Sequence, residues 1–540
     1  MGEEPDLPPP PEWQKRFDEG NLFEARVFEA FRAALGPRCL DLSEMAKADP
    51  GKNVLVAATV DAMTRGVEVI LGGGLPDDVA GGRSGKPDVL VRASDGGGYR
   101  AADVKWHKAV AAHDVKKPGS VDVSWIDDPA RERAVVEVGW TLVTRVEDWL
   151  QLAHYHRMLE AMDCAAPGPA TGGLIGTGEV DGRSHPIAWI DLAEPRIATF
   201  SRSSATGRTK RSVLESYDHE FSFRRQVAER ALVRREDPTL PALVEPILQE
   251  ECECCVWRQA CPLLLSDDDA TRHLPPAPAD AKREWALLHA AGVRSLGDVA
   301  AVELEGPTVQ SVLEQVGDRG KVRNRIAGYR RKAAMIQRGA RIERIGREPL
   351  DLPVRDVEVD FDIEWDPDGR IYLYGFLISR AGLAPAYHDV SSFEQLTDET
   401  NAELARRAVA RLVCERDGAV ANRLSFAVFH YSGPERSGVR KALPEGDRPA
   451  FDQLVHDCFI DLCDVVRANF FGLWGLGLKE AAPHLAGFHW RDEDPGGLSS
   501  QDWAAEAFDG DEAARQRVLR YNEDDVRATL ALRRWLRAQA

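Results

Sequence analysis

The sequence predicts an α/β multidomain protein. At 540 residues the chain is long enough for two to four domains, each with its own core. Short runs with strand-like alternation are interleaved with segments of helical periodicity along most of its length. Two strand-like stretches, KPDVLVRASDGGGYRAADVKWHK at 86–108 and VEVDFDIEW at 357–365, place charged side chains at alternate positions and hence on one face.

Composition narrows the function classes. The apolar fraction of 44% is ordinary for a globular protein. A net charge of -19 argues against a broad electrostatic nucleic-acid binder but leaves room for local basic grooves and carboxylate-rich metal sites. The start, MGEEPDLPPPPEW, is acidic and proline-rich, unlike a signal peptide. No stretch of about 18 residues is free of charge. The longest apolar candidate, FIDLCDVVRANFFGLWGLGL, is broken by Asp461, Asp464 and Arg467. The expectation is a cytoplasmic protein without a membrane span.

In chain order, NLFEARVFEAFRAAL has apolar residues at helical spacing and stops near Gly36-Pro37. Glu24 on this helix is either a metal ligand or a solvated helix glutamate. VLVAATVDAMTRGVEVILGG then predicts a helix followed by a strand. The stretch 86–108 reads as two short strands around a Gly-rich turn, with Asp88 opening the first. Asp103 and Lys105, two apart on the second, project from the same side. Alone, this D-x-K is a surface hairpin with a salt bridge. Two carboxylates and a lysine, however, also suit a divalent ion and an attacked phosphate. Residues 109–147 look polar and irregular, an insertion over the site. WLQLAHYHRML reads as a helix with Gln151 and Tyr155 one turn apart. GGLIGTG and IAWIDL read as strands completing a sheet. No internal repeat or long low-complexity tract is present.

Asp88, then D-V-K, then Q-x-x-x-Y resembles the PD-(D/E)XK nucleases of the RecB type. The resemblance implies a restriction-endonuclease-like core in which Asp88, Asp103, Lys105, Gln151 and Tyr155 are catalytic. Glu24, Asp88 and Asp103 would then face metal. Relatives carry a His-Glu pair where this chain has Phe23-Glu24.

Of nine cysteines, four fall within 252–261, in ECECCVWRQACP. Cys252, Cys255 and Cys261 form C-x2-C-x5-C, a spacing that lets three thiolates converge on one metal centre. The pattern resembles the terminal cysteine set of RecB-type nucleases with a [4Fe–4S] cluster. The fourth ligand would come from Cys39, Cys254 or a segment upstream of Met1. A Zn²⁺ site is the rival reading.

Next, DAKREWALLHAAGVRSLGDVA reads as helix, Gly-containing turn and helix, resembling a helix-hairpin-helix unit. The following stretch concentrates basic residues, among them Arg323, Arg325, Arg330, Arg331 and Lys332. It is either a solvated helix face or the contact for a phosphate backbone.

A new domain begins after Pro349 and Pro353. In VEVDFDIEW, Val357, Val359, Phe361 and Ile363 face one way, and Asp360, Asp362 and Glu364 the other. Three acids on one face repel one another unless solvated or holding cations. After the Asp-Pro-Asp-Gly turn, RIYLYGFLI reads as the paired strand and SFAVFHY as another. Pro434 suits a first helical turn beside Glu435. LGLKEAAPHLAGFHW reads as a helix. RYNEDDVRATLALRRWL is helical too, with Tyr521 and Asp525 on one face.

The strand D-x-E and the terminal Y-x-x-x-D resemble the DEDD-type 3′–5′ exonucleases of the RNase H-like superfamily. The resemblance implies catalytic Asp362, Glu364, Glu435 and Asp525, with Tyr521 orienting water and Asp362, Glu364 and Asp525 holding metal. Glu435 stands where relatives have aspartate, and Asp461 reads as structural. The whole order resembles a RecB-like nuclease family whose C-terminal domain is RNase H-like, of the YprB/DEDD exonuclease type. It implies a PD-(D/E)XK domain at 13–265 with the cysteine cluster, a helical basic linker at 266–350 and an exonuclease-type domain at 351–540. The expected function is a Mg²⁺- or Mn²⁺-dependent nuclease acting on DNA in repair or processing, with a helicase as possible partner. The alternatives are an RNA-cleaving nuclease and a nucleic-acid-binding adaptor with degenerate sites.

Overall fold

The computed structural model describes residues 7–48, 53–94, 96–112, 121–135, 140–180, 182–201, 203–204, 208–346, 350–366, 369–493 and 497–539. Outside them fall the acidic start at 1–6, Pro349 and the centre of the turn at 366–369. The chain divides into two compact units, Met1–Arg272 with Pro276–Tyr329, and His273–Pro275 with Arg330–Ala540.

The first unit begins with helix α1 (Pro11–Leu35), whose Phe23, Val27, Phe28, Phe31 and Leu35 recur at helical spacing and are buried. Gly36, at φ 53, ends it. Strand β1 (Cys39–Asp41), helix α2 (Asn53–Arg65) and strand β2 (Val69–Leu71) follow. The hairpin comes next as β3 (Val89–Arg92) and β4 (Tyr99–Val104), then β5 (Val121–Trp125) and β6 (Asp128–Val135). Helix α3 (Val146–Ala161) leads to β7 (Thr171–Ile175), β8 (Ile187–Asp191) and helix α4 (Val213–Glu236).

These strands form one eight-stranded sheet in the order β1-β2-β3-β4-β7-β8-β5-β6. The pairs β1/β2 and β4/β7 are parallel and the rest antiparallel. Alternation in the hairpin sends Val89, Val91, Ala102 and Val104 into the core built on α1. Leu90, Tyr99 and Ala101 enter the core shared with Tyr155 and Met158 of α3. Asp103 and Lys105 therefore face α3.

The expectation of an irregular insertion at 109–147 is corrected. Its described residues include β5 and β6, which extend the main sheet, and a small ribbon pairing Val110–Ala112 with Trp140–Leu142. Segments 113–120 and 136–139 lie outside the described residues. Further on, α5 (Lys282–Ala290), a turn through Gly292 at φ 85, and α6 (Leu296–Ala301) form the helix, Gly-containing turn and helix expected there. Helix α7 (Arg319–Gln337) carries the basic stretch.

The second unit is built on β9 (Val357–Trp365), β10 (Ile371–Arg380) and β11 (Ala386–Ser391). Helix α8 (Asp398–Ala421), β12 (Phe426–His430), α9 (Pro434–Ala442), β13 (Phe459–Asp461) and α10 (Leu462–Asn469) continue the chain. Helices α11 (Leu478–Ala486), α12 (Gly497–Phe508) and α13 (Glu512–Ala538) complete it. The sheet order is β11-β10-β9-β12-β13, with β9/β12 and β12/β13 parallel. Val357, Val359, Phe361 and Ile363 enter the main core of this unit. The acidic face of β9 meets residues of α13 instead. No helix among the described residues is long and apolar enough to cross a membrane.

Candidate active site

Strand alternation on β9 puts Asp362 and Glu364 on one face, and helical spacing on α13 puts Tyr521 and Asp525 on one side. The fold brings the two elements together. One ligand oxygen from each of Asp362, Glu364 and Asp525 lies within 4.8 Å of the others. Among the described residues they form the one such set of three.

Each carboxylate is held by a specific donor. Asn522 Nδ2 donates to Asp362 Oδ2 at 2.7 Å, and Tyr387 fixes Asn522 by donating to its Oδ1 at 2.9 Å. Gly375, opposite Asp362 on β10, makes room for this amide: a Cβ there would lie 1.7 Å from Asn522 Oδ1. Ser500 Oγ donates to Glu364 Oε2 at 3.3 Å. Asp525 Oδ1 accepts from Lys479 Nζ at 2.7 Å and from Trp490 Nε1 at 2.6 Å.

Burial pushes Asp362 well above the usual carboxylate range, and repulsion from Asp525, Glu364 and Glu435 adds to it. Burial and then Asp525 push Glu364 up to about 8, against Lys479. Burial also raises Asp525, while Lys479 pulls it down. The Tyr521 hydroxyl is raised by burial first and by Asp525 second, so it stays protonated. Three carboxylates that repel one another, Asp525 buried and Asp362 and Glu364 half-buried, fit a hard divalent cation with oxygen ligands. They line an open cavity of about 590 Å³ with Tyr521, Lys479 and Glu435.

Glu435 reaches this cavity from the first turn of α9 but is not one of the close set. Its Oε2 lies 3.5 Å from His430 Nδ1, at the end of β12. Burial raises its carboxyl, against the His430 imidazole. Asp461 caps α10 at Cys463 N and accepts from Ser432 N, both at 2.9 Å, as its structural reading anticipates. Lys479, Asn522, Trp490 and Ser500 are absent from the sequence reading. Asn522 had a signal in its position directly after Tyr521; the other three had none.

In the first unit, Asp88, Asp103, Lys105, Gln151 and Tyr155 also lie together. Lys105 Nζ is 2.5 Å from Asp103 Oδ2 and donates to Gln151 Oε1 at 2.9 Å. Gln151 Nε2 donates to Tyr155 OH at 2.8 Å, and that hydroxyl donates to the Lys86 carbonyl at 3.1 Å. Asp88 Oδ2 accepts from Val104 N at 2.8 Å. Burial, then Asp103, pushes Asp88 well above its ordinary range. Glu24 on α1 is raised by burial and then by Asp103, so it is within electrostatic reach of the group. Phe23 is buried in the α1 core, its ring 5.2 Å from that of Trp106.

Cys252, Cys255 and Cys261 sit in a turn-rich segment, each half-buried. Burial and the neighbouring Cys255 and Cys252 raise Cys261. Of the two candidate fourth ligands, Cys39 packs against the α1 core, and Cys254 donates to the Glu251 carbonyl at 3.6 Å. The basic stretch is largely paired: Arg323 bonds Glu305, Arg325 bonds Asp280 and Glu284, and Arg331 bonds Glu343. Burial lowers Lys332, while Arg330 is exposed.

Residues 359–537 match the RNase_H_2 family model, described as RNase_H superfamily. This part of the chain is RNase H-like. The RNase H-like match spans β9 through most of α13 and therefore includes all three clustered carboxylates. No curated protein and no solved structure gives a significant match to the chain.

Proposed function

We propose that the protein is a divalent-metal-dependent nuclease whose RNase H-like site hydrolyses phosphodiester bonds. The observation that carries this reading is the meeting of Asp362, Glu364 and Asp525 within 4.8 Å in an open cavity. Those three residues would hold Mg²⁺ or Mn²⁺. When bound, such an ion supplies Lewis-acid stabilisation of charge on phosphate oxygens and a water acidic enough to attack near neutral pH. Asn522, clamped by Tyr387, fixes the Asp362 carboxylate. Trp490 and Lys479 fix Asp525. Tyr521, protonated and one turn before Asp525, presents a hydroxyl donor to the cavity.

The finer reading is 3′–5′ exonuclease action on DNA in repair or processing. In the same proposal, residues 13–265 form a PD-(D/E)XK domain with a second centre at Asp88, Asp103 and Lys105. The hydrogen-bonded run from Lys105 through Gln151 to Tyr155 supports that part. Residues 266–350 form the linker, with Arg330 the best-placed phosphate contact of the five basic candidates. Cys252, Cys255 and Cys261 would hold an iron–sulfur cluster.

The second reading is a nucleic-acid-binding adaptor. It is favoured by Glu435, turned to His430, and by Phe23, buried where relatives carry histidine. Purified full chain assayed on end-labelled single- and double-stranded DNA and RNA, with Mg²⁺ and with chelator, separates the two. The nuclease reading expects chelator-sensitive cleavage that Asp362→Asn reduces. Binding of these substrates without cleavage of any of them leaves the adaptor.

A further inference from the structure

Strand β9 ends on a residue that breaks its own pattern. Val357, Val359, Phe361 and Ile363 alternate into the core, and a period of two would carry Trp365 in after them. The register of β9 on β10 instead jumps at that point, from Glu364 opposite Leu373 to Trp365 opposite Ile371. A bulge of this kind re-aims a side chain. Trp365 is left 40% exposed and lines the acidic cavity beside Glu364. Among the described residues, no second ring, cation or hydrogen-bond acceptor meets its indole. A large π-face kept open beside three clustered carboxylates is what a flat heteroaromatic ring covers.

The same cavity also carries a cation without a partner. Arg467, in the last turn of α10, is exposed and lines it. Among the described residues its side chain makes no ion pair and no hydrogen bond. Other arginines of this unit are committed: Arg436 to Asp461, Arg491 to Asp524 and Arg533 to Asp360. An uncommitted guanidinium offers a fork of donors that matches two oxygens of a phosphate. An aromatic face and a cation on one open groove are the two parts that grip a single strand, the first by its bases and the second by its backbone.

We infer that Trp365 and Arg467 form a nucleotide subsite of this cavity. A base of the bound strand stacks on the Trp365 indole, and a phosphate of the same strand sits on the Arg467 guanidinium. The base must be unpaired to lie there. A stacked face reads neither the edge of the base nor the sugar, so the ligand is a single strand of DNA or RNA held without sequence preference. The inference rests on the nuclease reading above and deepens it by naming what grips the strand.

The test is photocrosslinking of the full chain to an iodouracil-substituted oligonucleotide, a label that reacts with a stacked aromatic side chain. Asp103→Asn and Asp362→Asn are present throughout, to keep the strand intact. Peptide mapping should place an adduct on Trp365, and Trp365→Phe should keep it. The yield of that one adduct reads this subsite alone, whatever else binds the strand. Unlabelled oligothymidylate should suppress it at concentrations on the order of tenfold lower than an abasic strand of equal length, because the stacked base adds affinity. Oligouridylate should compete as oligothymidylate does. Arg467→Gln should raise the half-saturating concentration of the probe and reduce its salt slope by about one. Adducts confined to other residues, equal competition by the abasic strand, or an unchanged salt slope in Arg467→Gln overturns the inference. The nuclease reading is judged apart from it, by cleavage: a parent that cleaves nothing yet gives the Trp365 adduct loses that reading and keeps the subsite.

Discussion

Arg533 closes on Asp360 from α13, with Nε 3.0 Å from Oδ1 and Nη2 2.7 Å from Oδ2. Its remaining nitrogen bonds Glu358, which Arg537 also holds, at 2.5 Å. The acidic face of β9 is thereby split. Glu358 and Asp360 are neutralised by two arginines, and Asp362 and Glu364 are left for the cavity. Removing one partner of a buried pair leaves an uncompensated charge and costs about 3–5 kcal/mol. Arg533→Met should therefore lower the urea midpoint of the second unit's unfolding sharply. A parental midpoint would show that this pair adds no net stability.

Glu364 links stability to pH. Its folded value of about 8 lies above the ordinary 4.5, so the stability it contributes is complete below about 4.5 and is lost as pH rises towards 8. In chelator, the unfolding free energy of the second unit should fall between pH 5 and pH 8, with a slope of up to about 1.4 kcal/mol per pH unit, and its melting temperature should fall with it. Glu364→Gln should flatten that slope, and Mn²⁺ should stabilise more at pH 8 than at pH 5. Metal stabilisation independent of pH would contradict this account.

Gly375→Ala tests the packing behind Asp362. The added methyl would overlap Asn522 Oδ1, so Asn522 must leave Asp362 or the strand must shift. Cleavage should slow on the order of 10²-fold, as misplacement of a reacting group by about 1 Å does. Circular dichroism should report a retained fold. Parental rates would mean that Asn522 does not position Asp362.

The centre proposed for the first unit can be tested apart from the second. In an Asp362→Asn background, the remaining Mg²⁺-dependent cleavage should fall on the order of 10²-fold with Asp103→Ala or Lys105→Ala. Unchanged cleavage of every substrate would remove this group from the chemistry.

Anaerobically purified protein should contain iron and acid-labile sulfide, both lost on Cys255→Ser. Stoichiometric zinc with no iron would assign the cysteine turn to the rival metal.

Much of this was legible because the motifs obey simple periods. In VEVDFDIEW a period of two separates the core face from the acidic face, and in RYNEDD a spacing of four aligns Tyr521 with Asp525. Lys479 and Trp490 were not legible, because they meet Asp525 only through the packing of α11 and its following loop on α13. Glu435 kept its place on α9, but its pairing with His430 follows from the close of β12, which local sequence does not encode. The strands within 109–147 were missed because β6, DPARERAV, lies at the sheet edge. There, charge and proline are tolerated, so it resembles a loop.

Helix α13 holds Tyr521, Asn522 and Asp525 on its earlier turns and Arg533 and Arg537 on its last ones. The candidate site and the arginines that neutralise the rest of the β9 acidic face are therefore written into one continuous segment. On the proposed nuclease reading, a frameshift or clipped tail near residue 530 would score as inactive in an activity screen, although Asp362, Glu364 and Asp525 are all still encoded. The lesion would be in solubility and yield, and adding more metal would not recover it.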